Sequence, residues 1–147
     1  MAKLHLLCGV PASGKSTYAK IWEVNGYVIL SSDGLREIIS GDAENQDCSA
    51  QVFSIMETMA AYLLARNINV MVDATNTTKK ARAKFIAIAR KYYCPVHAHV
   101  FKVTPETAKA RNKGRKRQVP EHVIDRMAAQ LFAEPPTGDE VDFIDFH

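Results

Sequence analysis

A glycine loop between a short apolar strand and an amphipathic helix most restricts how this chain can fold. Its residues, Gly9 to Ser16, match the spacing G-x-x-x-x-G-K-[ST]. The preceding segment, Lys3–Cys8, is apolar except at His5, and Ser16–Val24 places apolar residues on one side of a helix. In that context glycine lets successive backbone N–H groups surround a phosphate, and the helix N-terminus adds partial positive charge. The sequence therefore predicts a phosphate-binding loop that opens a strand–helix unit.

The positions of this loop carry distinct expectations. Lys15 is expected to reach the β- and γ-phosphates of a nucleotide, and the Ser16 hydroxyl is expected to join the ligand shell of Mg²⁺. The other predicted nucleotide-binding positions of the segment are Gly9, Pro11, Ala12, Ser13, Gly14 and Thr17. The predicted cofactor is Mg²⁺, with ATP or another nucleoside triphosphate as phosphoryl donor.

Predicted strands and helices alternate along the chain. Further strands are predicted at Tyr27–Leu30, Asn69–Asp73 and Pro95–Val103. Helices are predicted at Asp33–Ile39, Cys48–Arg66 and Thr77–Tyr92, from Thr104, and from Pro120 to about Phe132. This order is typical of an α/β protein with a parallel sheet of about four to five strands and helices on both faces. Ligands of such sheets bind beyond the carboxyl ends of the strands, so the functional site is expected there.

The composition indicates one globular domain. The chain has 147 residues, of which 47% are hydrophobic and 24% are charged. No apolar run approaches the roughly 18 residues of a membrane span, and no signal peptide is recognisable. The three cysteines are odd in number and widely spaced, which is typical of reduced thiols. We therefore expect a cytoplasmic protein that does not contact membranes.

The charges are unevenly distributed along the chain. Six lysines and arginines fall within the nine residues Lys109–Arg117, whereas the last fourteen residues hold five acids and neither lysine nor arginine. We expect a main domain over 1–133 with a basic lid at about 109–119. Arg111 and Arg115 are four apart and are predicted to share a helical face and stabilise charge on a transferred phosphoryl group. The alternative for this segment is a solvated charged face.

The remaining acidic tail, 134–147, leaves three possibilities open. It either hangs free, adds an edge strand to the sheet through residues 142–146, or binds a partner. The sequence does not decide between them.

Carboxylates follow the second and third predicted strands. Asp33 and Arg36 are three apart at a helix start, so their side chains share a face. Asp33 is a candidate general base for an attacking hydroxyl, and Arg36 for gripping a phosphate on the acceptor. The alternative is an Asp N-cap with an arginine one turn later. Asp73 is expected to order Mg²⁺ through water or to orient Arg36. Thr75 and Asn76 are expected to contact the acceptor, to cap the next helix, or both.

Two histidines alternate on the fourth predicted strand. His97 and His99 are two residues apart, so their side chains point to the same face. A metal site needs at least a third ligand, and none stands beside them in the sequence. They are therefore interpreted as core or surface histidines.

Taken in order, these motifs resemble the kinase domain of bacteriophage-type 5′-OH polynucleotide kinases, in the adenylate-kinase-like branch of the P-loop phosphotransferases. The segments that carry the resemblance are Gly9–Thr17, Ser32–Arg36, Asp73–Asn76, Arg111–Arg115 and Val119-Pro120. The resemblance covers about Leu4 to Leu131. It implies a three-layer P-loop kinase fold with a helical basic lid.

The resemblance also implies an activity and a role for each site. The activity would be transfer of the γ-phosphoryl of ATP to a 5′-hydroxyl end of DNA or RNA. Asp33 would be the general base, and Arg36 would hold the phosphate just 3′ of the accepting nucleoside. Asp73 would support the site. Arg115 would contact the donor phosphates, with Arg111 near the base or phosphates.

This sequence also departs from the family pattern. Ser32 stands where relatives can carry a basic residue. The chain has no D-x-D-x-T motif, so no 3′-phosphatase activity is expected.

Two other functions stay open at this point. The first is a kinase of the same fold that acts on a nucleoside, a sugar or a nucleotide-sugar. The second is a nucleotide-binding switch module without an acceptor. Asp33 and Arg36 argue against a switch, because a switch needs no acceptor pair.

Overall fold

A computed structural model describes residues 1–147. Its five strands form one sheet in the order β2-β3-β1-β4-β5, and every neighbouring pair is parallel. The strands are β1 (Leu4–Cys8), β2 (Val28–Ser31), β3 (Val70–Asp73), β4 (Val96–Val100) and β5 (Phe143–Phe146). The predicted α/β fold with a parallel sheet is confirmed.

Six helices complete the structure, and they cover the sheet on both faces. They are α1 (Lys15–Glu23), α2 (Ser32–Ser40), α3 (Ser49–Ala65), α4 (Lys79–Lys91), α5 (Pro105–Lys113) and α6 (Glu121–Ala133). Alternate side chains of β1 pack into two different hydrophobic clusters, one on each face of the sheet. Leu4 and Leu6 belong to the larger cluster, which includes residues of α3 and α4, whereas Leu7 packs in a smaller cluster with Ala19 of α1. None of these helices has the length and apolar character needed to cross a membrane.

The start of α4 differs from the sequence expectation. Thr78 is the N-cap, and its side chain accepts a hydrogen bond from the Ala81 N–H. Thr75 and Asn76 therefore do not cap this helix, and the prediction that they do is wrong. The reason is distance along the chain, because five residues, 74–78, separate the end of β3 from α4 and only the last of them adjoins the helix.

The acidic segment 134–147 contributes the edge strand of the sheet. β5 pairs with β4 along its length. The Arg82 side chain of α4 is fully buried and donates to both carboxylate oxygens of Glu140 and to the Glu134 carbonyl. Arg90 donates to Asp142 Oδ2 at 2.6 Å. Of the three possibilities left open by the sequence, the structure shows the edge strand.

Candidate active site

The chain segments that follow β1, β2 and β3 surround a cleft at the carboxyl edge of the sheet. Its volume is about 1290 Å³. The lining includes these predicted site residues: Pro11, Ala12, Ser13, Gly14, Lys15, Ser16, Thr17, Asp33, Arg36, Asp73, Thr75, Arg111 and Arg115. Gly9 and Asn76 lie outside it.

The glycine loop presents unpaired donors to this cleft. Gly14 has a φ of 99°, and α1 begins at the next residue without a side-chain cap. The backbone N–H groups of Lys15, Ser16 and Thr17 donate to no other group of the chain. Such orphan N–H groups at a helix N-terminus attract anions. The loop is therefore preformed for a phosphate.

Lys15 lies folded within this loop. Its Nζ donates to the Val10 carbonyl at 2.8 Å and approaches Ser13 Oγ at 3.5 Å, and the residue is only 8% exposed. Burial lowers the pKa of Lys15 to about 8, while the charges of Asp73 and Asp33 oppose that shift. The ammonium group is thus already desolvated, and a phosphate would supply the partner that water no longer provides.

Gly9 and Asn76 hold the base of the loop. A Cβ at Gly9 would lie 2.7 Å from Ser13 Oγ and 3.0 Å from Phe101 Cβ, so the loop packs closely against this residue. The Gly9 N–H donates to the Thr75 carbonyl at 2.9 Å. Asn76 is 2% exposed and its Nδ2 donates to the Leu7 carbonyl at 2.7 Å. Because its side chain is turned into the protein, Asn76 ties β3 to β1 rather than reaching an acceptor.

Ser16 and Asp73 provide oxygens where α1 begins and β3 ends. Ser16 Oγ donates to Asp73 Oδ2 at 2.8 Å. Burial raises the pKa of Asp73, and the hydrogen bond from Ser16 counteracts it. Hydroxyl and carboxylate oxygens are the ligands that Mg²⁺ prefers. The donor set therefore fits a magnesium ion.

Asp33 lies in the first turn of α2 but does not cap it. Ser31 is the N-cap and accepts from the Gly34 N–H, which leaves the Asp33 carboxylate free to face the cleft. Asp33 Oδ1 accepts from Arg36 Nη1 at 2.9 Å, and Asp33 Oδ2 accepts from Arg117 Nη2 at 2.5 Å. Arg36 is buried, and its Nε has no hydrogen-bond partner. The carboxylate thus lies between an arginine of α2 and an arginine of the basic segment.

The basic segment is only partly helical. α5 ends at Lys113 with Gly114 as its C-cap, so Arg115 lies beyond the helix. The prediction that Arg111 and Arg115 share a helical face is therefore wrong, although both line the cleft. Arg115 Nη1 is buried and has no hydrogen-bond partner. An unpartnered buried guanidinium nitrogen fits an anion bound in the cleft.

Sequence reasoning missed two arginines of this cleft. Arg117 was part of the counted basic cluster, but nothing in the sequence distinguishes it from Lys116 beside it. Arg126 of α6 also lines the cleft, and no motif singles it out. Both reach the cleft only because α6 and the basic segment fold back over the edge of the sheet.

Comparison with known proteins places the chain in a family. Residues 4–136 match the family model described as an AAA domain. No curated protein matches the chain in sequence. A chain of the Pnkp1/Rnl/Hen1 RNA repair complex is similar in structure, with a TM-score of 0.79 and 24% identity over 90% of this chain. The match covers 44% of that protein, so the present chain spans less than half its length.

Two further solved structures share the fold over nearly the whole chain. A gluconokinase from Sinorhizobium meliloti has a TM-score of 0.66 and 18% identity over 99% of this chain and 81% of its own. Kti12 of Chaetomium thermophilum, in complex with ADP-AlF3, has a TM-score of 0.73 and 16% identity over 98% and 88%. With the family model matching from the first strand to beyond the last helix, the chain belongs to the AAA domain family and has the P-loop kinase fold.

Proposed function

We propose that this protein is a polynucleotide 5′-hydroxyl kinase, which transfers the γ-phosphoryl group of ATP to the 5′-OH end of DNA or RNA. One observation carries the proposal. The Asp33–Arg36 pair shares a single cleft with the glycine loop and with arginines of the basic segment. In this proposal Asp33 is the general base, Arg36 is the acceptor clamp and the glycine loop is the donor site.

The donor triphosphate is held by groups of the glycine loop and of the basic segment. The free N–H groups at the start of α1 and the Lys15 ammonium bind its β- and γ-phosphates. Ser16 and Asp73 would hold Mg²⁺, which would neutralise charge on the phosphates. The unpartnered Arg115 Nη1 stabilises charge on the transferred group, a contribution of about 10³–10⁵ in rate for an arginine finger.

The acceptor hydroxyl is activated by Asp33. The 5′-oxygen attacks the γ-phosphorus, its proton passes to the Asp33 carboxylate, and the bond from the γ-phosphorus to the bridging oxygen breaks to release ADP. Arg117 now donates to Asp33 Oδ2. The transfer therefore requires Arg117 to leave that oxygen, and its position in the segment between α5 and α6 allows such a movement.

The charge of the cleft favours an acceptor that carries phosphates. Five arginines line it: Arg36, Arg111, Arg115, Arg117 and Arg126. Three carboxylates, Asp33, Glu44 and Asp73, line the same cleft, so a donor triphosphate can balance much of this charge. Arg36, however, lies beside Asp33 and outside the glycine loop. A backbone phosphate of a polynucleotide would supply an anion for Arg36. The structural likeness to a chain of an RNA repair complex is consistent with this acceptor.

A small-molecule kinase is the second candidate. The gluconokinase from Sinorhizobium meliloti matches this chain over almost its whole length, whereas the match to the RNA repair chain leaves more than half of that chain uncovered. On this reading the acceptor is a sugar or a nucleoside, and the extra arginines serve the donor alone.

A transfer assay with γ-labelled ATP distinguishes the candidates. The acceptors are 5′-OH DNA and RNA oligonucleotides, the same oligonucleotides already 5′-phosphorylated, gluconate, nucleosides, and water. We expect label only on the 5′-OH oligonucleotides, with the acceptor KM rising steeply with salt as counterions are released. Label on gluconate or a nucleoside, with none on the oligonucleotides, would refute the polynucleotide assignment and support the second candidate.

A further inference from the structure

Four of the five histidines gather on the face of the sheet that α1 covers. They are His5, His97, His99 and His147, named here the histidine cluster. His5 of β1 pairs with His97 of β4 in the sheet register, and His99 lies two residues further along β4. None of the four lines the cleft at the carboxyl edge of the sheet, named here the nucleotide cleft. The sequence shows no third ligand beside His97 and His99. The fold brings His5, which lies 92 residues before His97, next to them.

Three of these rings each place one nitrogen close to the other two. The ligand atoms of His5, His97 and His99 all lie within 4.8 Å of one another. His5 Nδ1 and His99 Nε2 are 2.9 Å apart. His97 makes its hydrogen bond through Nε2, and its Nδ1 makes none.

The opposite nitrogen of each ring is held by an outer partner. His97 Nε2 lies 2.7 Å from Asp145 Oδ2, and His5 Nε2 lies 3.2 Å from the Tyr27 hydroxyl. His99 Nδ1 lies 3.3 Å from the Tyr18 hydroxyl and 3.1 Å from His147 Nε2. Metal-binding histidines commonly have such an outer partner, which fixes the tautomer and orients the ring.

Solvent reaches the cluster through a separate small cleft. Its volume is about 330 Å³, and His5 and His97 line it together with residues that include Trp22 and Phe143. This cleft shares no lining residue with the nucleotide cleft. An ion therefore has an entry path and room for a water ligand without crossing the nucleotide site.

We propose that His5, His97 and His99 bind one divalent transition-metal ion, with Zn²⁺ as the ion that best suits three imidazoles and one water. Zinc–nitrogen bonds of about 2.0–2.1 Å place tetrahedral ligands about 3.3 Å apart. His5 Nδ1 and His99 Nε2, now 2.9 Å apart, would separate slightly, and the nitrogens that lie up to 4.8 Å apart would draw closer by up to about 1.5 Å. The His97 and His99 rings are stacked with 4.3 Å between their centroids and 16° between their planes. They turn about χ2 when the ion binds, because each lone pair lies in the plane of its ring.

The test uses the full chain without a histidine tag, after treatment with a chelator and without nucleotide. Calorimetric titration with Zn²⁺ is expected to give one site per chain, and Co²⁺ is expected to give the intense visible absorption of a tetrahedral ion. His97→Ala is the main variant, because this side chain is 25% exposed and its loss opens no deep cavity. His122→Ala, on the exposed surface of α6, is the matched control.

We expect His97→Ala to abolish the site and His122→Ala to keep it. Asp145→Asn is expected to weaken Zn²⁺ binding about 10–100-fold through the lost outer partner, with Asp139→Asn as its exposed control. Circular dichroism checks that the variants fold. Absence of the tetrahedral Co²⁺ spectrum in the parent chain, or equal Zn²⁺ affinity in His97→Ala and His122→Ala, would overturn the proposal. Neither result depends on phosphoryl transfer.

Discussion

The nucleotide cleft and the histidine cluster both involve β1 and α1, but they differ in whether their polar groups have hydrogen-bond partners. In the cleft, the first N–H groups of α1 and Arg115 Nη1 have no partner. In the cluster, His5 and His99 use both ring nitrogens, and their neighbours are mostly aromatic rings. The unpaired donors of the cleft are therefore free to bind an anion. The ring nitrogens of the cluster mostly bond to one another and to nearby side chains, so a cation would have to replace their protons.

Burial lowers the pKa of basic side chains in both regions, but the resulting protonation states differ. It lowers the pKa of Lys15 to about 8, that of His5 to about 4 and that of His99 to about 3, because desolvation disfavours the charged form. Lys15 stays mostly protonated at pH 7, since the Asp73 and Asp33 carboxylates oppose the shift. The imidazoles are neutral at the same pH. Desolvation thus leaves a cation in one region and neutral bases in the other.

The largest effect is expected at the centre of the cleft. Lys15→Met removes the cation that we propose contacts the transferred phosphoryl group, and we expect turnover to fall by at least about 10³-fold. Lys20→Met, on the exposed side of α1, is the control and is expected to keep full activity. Turnover of Lys15→Met within tenfold of the parent would show that the loop does not serve phosphoryl transfer.

The second effect separates chemistry from binding within the cleft. Asp33→Asn keeps the size of the side chain but cannot take a proton, so we expect kcat to fall about 10²–10⁴-fold while nucleotide affinity is little changed. Asp47→Asn, on the exposed loop before α3, is the matched control. The measurement is single-turnover transfer together with nucleotide titration. A near-normal kcat would remove Asp33 as the base.

The third effect is a pH dependence specific to the cleft. Bound phosphate favours protonated Lys15, whereas the free protein loses this proton near pH 8. Nucleotide affinity is therefore expected to be constant below that pH and to fall above it by up to about tenfold per pH unit. Nucleotide titrations from pH 6.5 to about 9.5 test this, and Lys15→Met should lose the dependence. A flat profile in the parent chain would contradict the lowered pKa of Lys15.

The smallest effect is expected in the histidine cluster. Tyr27→Phe removes the hydroxyl that lies 3.2 Å from His5 Nε2, and we expect the free energy of unfolding to fall by about 1–3 kcal/mol. Turnover is expected to be unchanged, because Tyr27 does not line the nucleotide cleft. Urea denaturation measures the loss, with Tyr62→Phe on the exposed side of α3 as control. Equal stability of the two variants would show that this hydrogen bond contributes nothing.

The glycine loop shows how much structure can be predicted from neighbouring residues in the sequence. Its function depends on contiguous residues, and the strand and helix on either side follow from hydrophobic spacing, so the loop and the α/β architecture could be predicted together. Thr75 and Asn76 show where prediction from neighbouring residues fails. Their chemical type suggested a cap or an acceptor contact, but the backbone path from β3 to α4 gives the cap to Thr78 and turns Asn76 towards Leu7.

The sequence by itself determined the parallel sheet, the phosphate loop and the chemical types at the ends of β2 and β3, because these depend on residues close together in the chain. Tertiary structure alone decided that Arg117 reaches Asp33, that the acidic segment becomes β5, and that His5 joins His97 and His99. Each of these contacts joins residues more than 40 positions apart. They form because strand order and helix packing bring distant segments together, and single-sequence periodicity carries no information about that order.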